Sequence, residues 1–169
     1  MAGKIITRAV LVGCFLVYMF LVCWILFVTV GHTDRSTYFV NADNNFLPFQ
    51  GTAGLISMAR KYNFQGYYLN MLIRNLAGNF FLLFPWGMLL PIIIPKIARI
   101  RYVALSAFCF SLSAETTQYV FSLGIFDIDD IILNTIGAIT GFIFLRWIIQ
   151  LKTRHTGMVN SQPKKYVNE

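Results

Sequence analysis

Charge is what this sequence has least of. Asp, Glu, Lys and Arg make up 12% of the 169 residues, about half the share of a typical soluble domain. Hydrophobic residue types make up 57%. This balance excludes an ordinary water-soluble domain, since too few polar side chains are present to cover its surface. The composition instead predicts one compact membrane domain, with no room for a second.

Cysteine and histidine are also scarce, which removes two common kinds of site. Cys14, Cys23 and Cys109 lie in apolar segments, without the spacing of a metal site or the even number of a secreted disulfide framework. We expect them to be small buried hydrophobic residues. Neither histidine lies in a long apolar run, so the commonest general base is missing from any membrane span.

Four apolar runs are long enough to be membrane helices. A run of about 20 residues crosses a hydrocarbon core of about 30 Å at 1.5 Å per residue. The first run lacks a small-x-small cleavage site after it, so we expect it to remain uncleaved. The predicted fold is an all-α integral membrane protein, a small bundle of four transmembrane helices at about residues 9–30, 71–94, 102–123 and 131–149.

The segments between and after these runs are more polar. Residues 31–70 form a predicted outer loop, with a short helix near residues 52–61. Pro85 and Pro91 predict a kink in the second span, because proline removes a helix hydrogen bond. Residues 151–169 form a basic tail that we expect to be disordered.

The basic residues are distributed unevenly between the two ends of the predicted bundle. Ten of the 14 Lys and Arg residues lie at the amino end, in the 96–101 turn or at the carboxyl end, and four lie in or beside the 31–70 loop. The positive-inside rule then predicts cytoplasmic termini, with the long loop and the acidic turn at 127–130 facing outward. The formal net charge of +7 thus fits orientation and anionic lipid headgroups better than nucleic acid.

Polar residues within these spans fall at one predicted depth, in the outer leaflet. A carboxylate at the centre of a membrane helix costs about 2.5–3.5 kcal/mol, so it usually faces a partner or a watery cavity. We therefore predict an outward-facing cavity of acids and amides. Its candidate residues are Arg74, Asn75, Asn79, Glu115, Gln118, Asp127, Asp130 and Asn134.

Some of these groups also have structural explanations. Arg74 is the candidate cation to neutralise Glu115, and amides form interhelical hydrogen bonds in membranes. Asp127 and Asp129 are predicted at the water interface, where solvation or pairing with a helix N-terminus explains them as well as chemistry does.

A single stripe runs down the predicted fourth helix. Asp130, Asn134, Gly137 and Gly141 are spaced by four, three and four residues, which places them on one face. The two glycines form a G-x-x-x-G pattern, which lets another helix backbone approach closely. We therefore predict that Gly137 and Gly141 pack against a neighbouring helix, with the amide and the carboxylate facing the bundle interior.

Several separated motifs occur in order and resemble those of VanZ-like membrane proteins. They are Asn45-x-x-Pro48-Phe49, NLAGN at 75–79, FPWG at 84–87, Glu115-x-x-Gln118, and LGIFDIDDIILNTIG at 123–137. The resemblance covers roughly residues 45–145. It implies a multi-pass protein of the bacterial plasma membrane and, for the founding member, low-level resistance to the lipoglycopeptide teicoplanin.

Three functions remain open at this point. The first is a binding protein that confers resistance by holding a lipid-linked cell-wall precursor or the lipoglycopeptide itself. The second is a membrane enzyme acting on a lipid phosphate, with Glu115 and Asp130 as candidate ligands for Mg²⁺. The third is a transporter, which with four helices would require a homo-oligomer. Membrane lipids are expected partners in each case.

Overall fold

A computed structural model describes residues 2–29 and 44–160, and the described chain is α-helical. A π-helical turn at Ile25–Thr29 and a 3-10 turn at Pro95–Ile97 supplement the α-helices. The helices in chain order are α1 (Ala2–Trp24), α2 (Gln50–Lys61), α3 (Gly66–Leu82), α4 (Phe84–Ile93), α5 (Ile100–Val120) and α6 (Ile128–Asn160). Most of the predicted loop before α2, and the last nine residues of the tail, lie outside the described residues.

Three helical segments are long and apolar enough to cross a membrane: Ile6–Val28, Gly66–Ile93 and Ile128–Thr153. They correspond to the first, second and fourth predicted spans. The predicted third span is also helical, and the 21 residues of α5 would extend about 31 Å. However, α5 carries more polar side chains than the other three, including Ser111, Glu115 and Gln118. By length and composition, three of the four predicted spans are therefore supported, and the span at α5 stays a prediction.

The predicted kink is present between α3 and α4. Helix α3 ends at Leu82 and α4 begins at Phe84, because Pro85 has no N–H to donate to the carbonyl of Phe81. The Tyr18 hydroxyl of α1 donates a hydrogen bond of 2.6 Å to the Leu82 carbonyl. The break therefore gives α1 a point of attachment on the rest of the bundle.

The α6 helix lies against both the α3–α4 pair and α5. Contact with α3 and α4 is backbone to backbone, since a Cβ atom added at Gly137 would lie 1.9 Å from the Phe80 carbonyl oxygen. One added at Gly141 would lie 2.1 Å from the carbonyl oxygen of Phe84. Gly87 of α4 makes the reciprocal contact, 1.8 Å from the Ala138 oxygen. The glycine stripe thus packs within the chain.

Apolar side chains pack beside this contact and also cover the outside of the bundle. The buried cluster consists of Leu83, Val103, Ala107, Ala138 and Phe142. Large apolar side chains elsewhere face outward, as expected of helices that contact lipid. Cys14 and Cys109 are among the exposed residues and Cys23 is partly buried, so the expectation that all three are buried was wrong.

The α6 helix continues to Asn160, past residue 149 where the predicted span ends. No glycine or proline interrupts the chain between Gly141 and Gly157, so the helical backbone extends into the basic segment. The prediction of disorder in the tail therefore remains only for residues 161–169, which lie outside the described residues.

Candidate ligand-binding site

The loop before α2 is fastened to the turn before α6. Asn45 donates its backbone N–H to the Phe126 carbonyl at 2.8 Å and accepts from the Ile128 N–H at 3.0 Å, which forms an isolated parallel bridge with Asp127. The Asn44 side chain accepts a hydrogen bond of 3.0 Å from the Phe126 N–H. These contacts join two segments that are about 80 residues apart in the sequence.

Asp127 and Asp129 cap two different helices. Asp127 precedes α6, and its carboxylate accepts from the Asp129 N–H at 2.9 Å and from the Asn45 side chain at 2.8 Å. Asp129 accepts from the Phe49 N–H and, at 2.9 Å, from both the N–H and the hydroxyl of Thr52. Asp129 therefore caps the N-terminus of α2 from another helix, since Phe49 offers no side-chain acceptor there.

The burial of Asp129 decides between the two structural explanations predicted for it. Only 2% of the residue is exposed. Of the two structural explanations, pairing with a helix N-terminus describes Asp129 and solvation does not.

Asp130 meets two amides of α3. Its Oδ1 accepts from the Asn79 side chain at 2.5 Å and from the Asn75 side chain at 3.2 Å. The two asparagines are four residues apart, so they present their amides on one helix face. The structure therefore brings Asp130, Asn75 and Asn79 together, and Asp130 is only 8% exposed.

Glu115 and Asn134 are two further buried polar residues at this end of the bundle. The Glu115 carboxylate accepts from the Asp127 N–H at 3.1 Å, and the Asn134 side chain donates to the Ser111 hydroxyl at 2.9 Å. Both Glu115 and Asn134 are 4% exposed. Asn134 lies one helical turn from Asp130 on α6. We call these acids and amides at one end of the bundle the polar cluster; its members are Asn45, Asn75, Asn79, Glu115, Asp127, Asp129, Asp130 and Asn134.

Gln118 and Arg74 have different surroundings from those predicted. Gln118 is buried but donates to the Leu26 carbonyl of the π-helical turn at 2.9 Å, so its described hydrogen bond attaches α1 to α5. Arg74 is exposed on α3, one position before Asn75 and therefore about 100° away around the helix. The described hydrogen bonds to Glu115 and Asp130 come from a backbone N–H and from amides, and none from Arg74.

Three buried oxygen atoms in this region accept no hydrogen bond from any described residue. They are the Oδ1 atoms of Asn45, Asn75 and Asn134. Leaving a buried acceptor without a partner costs about 1–3 kcal/mol. Buried acceptors of this kind usually take their donor from an ordered water or a bound ligand.

A bound metal ion would need ligands that the described side chains supply only in part. Within residues 2–29 and 44–160 no three His, Cys, Asp or Glu side chains come together as potential metal ligands. Glu115 and Asp130, the candidate pair, would therefore need amide oxygens or water to complete the coordination of Mg²⁺.

Sequence reasoning did not single out several residues of this site. Thr52 and Ser111 make hydrogen bonds that define it, and a Cβ atom added at Gly51 would meet the Asn45 amide nitrogen at 2.6 Å. Asp129 was predicted to be solvated or paired with a helix N-terminus, but its bonds to Thr52 were not predicted. Asn45 was noted only as part of a motif. The one usable signal for Asp129 was its place in the first turn of α6, where acids commonly interact with helix N-termini.

Comparisons with known proteins agree with the motifs. Residues 15–150 match the model of the family described as VanZ/LLP1. The chain is also similar to "Protein VanZ" of Enterococcus faecium, with 26% identity over 140 residues, covering 82% of this chain and 73% of that protein. No solved structure matches. The matched region contains every member of the polar cluster.

Proposed function

The chain belongs to the VanZ/LLP1 family, and from this membership and the polar cluster we propose that it binds a lipid-tailed ligand at the outer face of the bacterial plasma membrane. The ligand is a lipid-linked cell-wall precursor or a lipoglycopeptide of the teicoplanin type. Binding of either confers low-level resistance, by altering the precursor's availability or by keeping the antibiotic from its target.

The proposal rests on the three buried amide oxygens that lack donors. An arrangement of acceptors selects groups that donate, such as amines, hydroxyls and peptide N–H groups, and disfavours an ionised phosphate, which only accepts. Both proposed ligands carry donors of this kind. Asn75 and Asp127 are only partly buried, and in the proposed function the ligand approaches the cluster at these two residues.

The proposed membrane arrangement has four spans and cytoplasmic termini. Helix α5 is the third of these spans in chain order, because its length matches the hydrocarbon core and its buried face holds Ser111, Glu115 and Gln118. Polar side chains that face the bundle are compatible with a membrane position. The acidic turn and α2 then face outward.

Cysteine labelling tests this arrangement. Single cysteines at Ser122 and Ser161, in a chain without its native cysteines, should behave oppositely toward a membrane-impermeant thiol reagent in intact cells. Ser122 is exposed between α5 and α6, so its replacement should react, while the tail position should react only after permeabilisation. Labelling of the tail in intact cells would overturn the orientation and, with it, the outward-facing site.

Replacing Asn134 with Leu tests the binding proposal. Leucine keeps the branched shape of asparagine, although it is larger, and it removes the unpaired oxygen. The Ser111 hydroxyl also loses its donor, so the free energy of unfolding should fall by about 1–3 kcal/mol, and binding is therefore measured on the folded fraction. Binding of the ligand should weaken about tenfold, the equivalent of one lost hydrogen bond of about 1.4 kcal/mol. We would measure the binding of teicoplanin and the binding of a lipid-linked cell-wall precursor to the purified chain in separate experiments. The comparison shows which of the two is the ligand.

The control for this variant is Thr140→Val on the same helix. The Thr140 hydroxyl bonds only to the Ile136 carbonyl of α6, so its loss should leave binding unchanged. If Asn134→Leu binds both ligands as tightly as the wild type, or neither ligand binds the wild type, the proposed function is wrong.

A further inference from the structure

One face of α2 carries a groove that is separate from the polar cluster. The groove is shallow and open, and its lining residues, all exposed, are Ala53, Ile56, Ser57, Arg60 and Lys61. Positions 53, 57, 60 and 61 share one helix face because they are separated by three, four, seven and eight residues. The opposite face of α2 packs inward, with Ala59 fully buried.

The groove has positive charge with no acid near it in the sequence. No Asp or Glu occurs between Asn44 and Ala114, a range that contains all of α2, α3 and α4. Arg60 and Lys61 are both exposed. Of the four described acids, Asp129 bonds to Thr52 in the first turn of α2, eight residues and about 12 Å along the helix from Arg60. The described hydrogen bonds of Glu115, Asp127 and Asp130 lie outside α2. The groove is therefore suited to an anion.

The surroundings of the groove are apolar and aromatic. Met58 is 50% exposed and Tyr62 is 51% exposed, and the rings of Tyr62 and Tyr68 stack with their centroids 4.6 Å apart. Phe64 and Tyr67 are also exposed in the connection to α3 and its first turn. Exposed aromatic residues beside basic ones are typical of a segment at the headgroup level of a bilayer.

We propose that this groove binds the headgroup phosphate of an anionic lipid. Arg60 and Lys61 contact the phosphate oxygens, the Ser57 hydroxyl donates a third hydrogen bond, and Ala53 and Ile56 contact the first carbons of the lipid chain. Charge complementarity and the apolar wall together favour a lipid over a free anion. The site takes an acceptor group, whereas the polar cluster takes donors, so this proposal stands apart from the proposed function.

The test is a titration of purified full-length chain in neutral detergent with phosphatidylglycerol, and separately with phosphatidylcholine, with bound lipid counted by native mass spectrometry. Each basic residue near an anionic surface contributes about fivefold in affinity. The wild type should therefore prefer phosphatidylglycerol by about 10- to 30-fold, and Arg60→Gln/Lys61→Gln should remove that preference. Both residues are exposed, so the double variant should fold normally.

Three controls decide the outcome. Lys96→Gln/Arg99→Gln removes two exposed charges after α4 and should keep the preference. Ile56→Asn should weaken binding of phosphatidylglycerol several-fold while leaving the charge in place. Inorganic phosphate at millimolar concentration should not displace the lipid.

Any of four results would overturn the proposal. The preference for phosphatidylglycerol could survive in Arg60→Gln/Lys61→Gln, or it could be lost equally in Lys96→Gln/Arg99→Gln. Ile56→Asn could bind phosphatidylglycerol as tightly as the wild type. Inorganic phosphate could displace the bound lipid completely.

Discussion

Glu115→Gln and Asp130→Asn should each abolish the protection that the chain gives to a teicoplanin-sensitive host. Each substitution keeps one side-chain oxygen that can accept the hydrogen bonds described here, from the Asp127 N–H to residue 115 and from Asn75 and Asn79 to residue 130. Only the negative charge and one acceptor are removed. Because a ligand amine loses its charged partner, binding should weaken far more than folding.

The measurement combines the minimum inhibitory concentration of teicoplanin with the abundance and melting temperature of each variant. Protection should fall to the level of cells without the protein, while the free energy of unfolding should change by less than about 1 kcal/mol. Thr116→Val, on an exposed face of α5 next to Glu115, serves as the control. A fall in protection that only follows a fall in abundance would assign the two carboxylates a structural role.

Gly87→Ala and Gly137→Ala should each destabilise the chain by about 3 kcal/mol, at the upper end of overpacking costs. The added methyl carbon would lie 1.8 Å from the Ala138 oxygen in the first variant and 1.9 Å from the Phe80 oxygen in the second. Both obstacles are backbone atoms, which cannot rotate away as a side chain would. Relief therefore requires α6 to move from α3 and α4, with loss of the contacts along the whole stripe.

Gly78→Ala is a matched control for these substitutions. Gly78 also lies inside a helix, but nothing lies within 4 Å of a Cβ atom added there. Alanine at this position should be neutral or stabilise α3 by up to about 1 kcal/mol, because it lowers the conformational entropy of the unfolded chain. Unfolding in detergent with increasing SDS measures all three variants. Wild-type stability in Gly87→Ala and Gly137→Ala would mean that the helices are not in backbone contact.

Local sequence patterns were sufficient for much of this architecture. Apolar runs gave the positions of the membrane helices, proline chemistry gave the break before Pro85, and motif order gave the family. The α6 stripe of Asp130, Asn134, Gly137 and Gly141 was readable because helical periodicity alone determines which residues share a face. The same periodicity predicted that Asn75 and Asn79 share one face of α3.

Contacts between distant segments could not be obtained in this way. Asp129 bonds to Thr52, 77 residues away, and no periodic pattern relates the two. Gly87 has no glycine partner at helical spacing in α4, so its contact with Ala138 follows only from the way α4 and α6 cross. Arg74 was predicted to contact Glu115 because both residues lie at a similar predicted depth. Depth does not determine which way a side chain points around its helix, and Arg74 is exposed on α3.

The hydrogen bonds around Asp127, Asp129 and Asp130 have a consequence for biosynthesis. Their partners, Asn45, Thr52, Asn75 and Asn79, precede them by 51 to 82 residues. A chain made from its amino end therefore inserts α1 and α3 while the groups that cap α2 and pair with α3 have not yet been synthesised. Because closing such long loops is slow, the site is completed last, and α6 acts as the helix that closes the assembled protein.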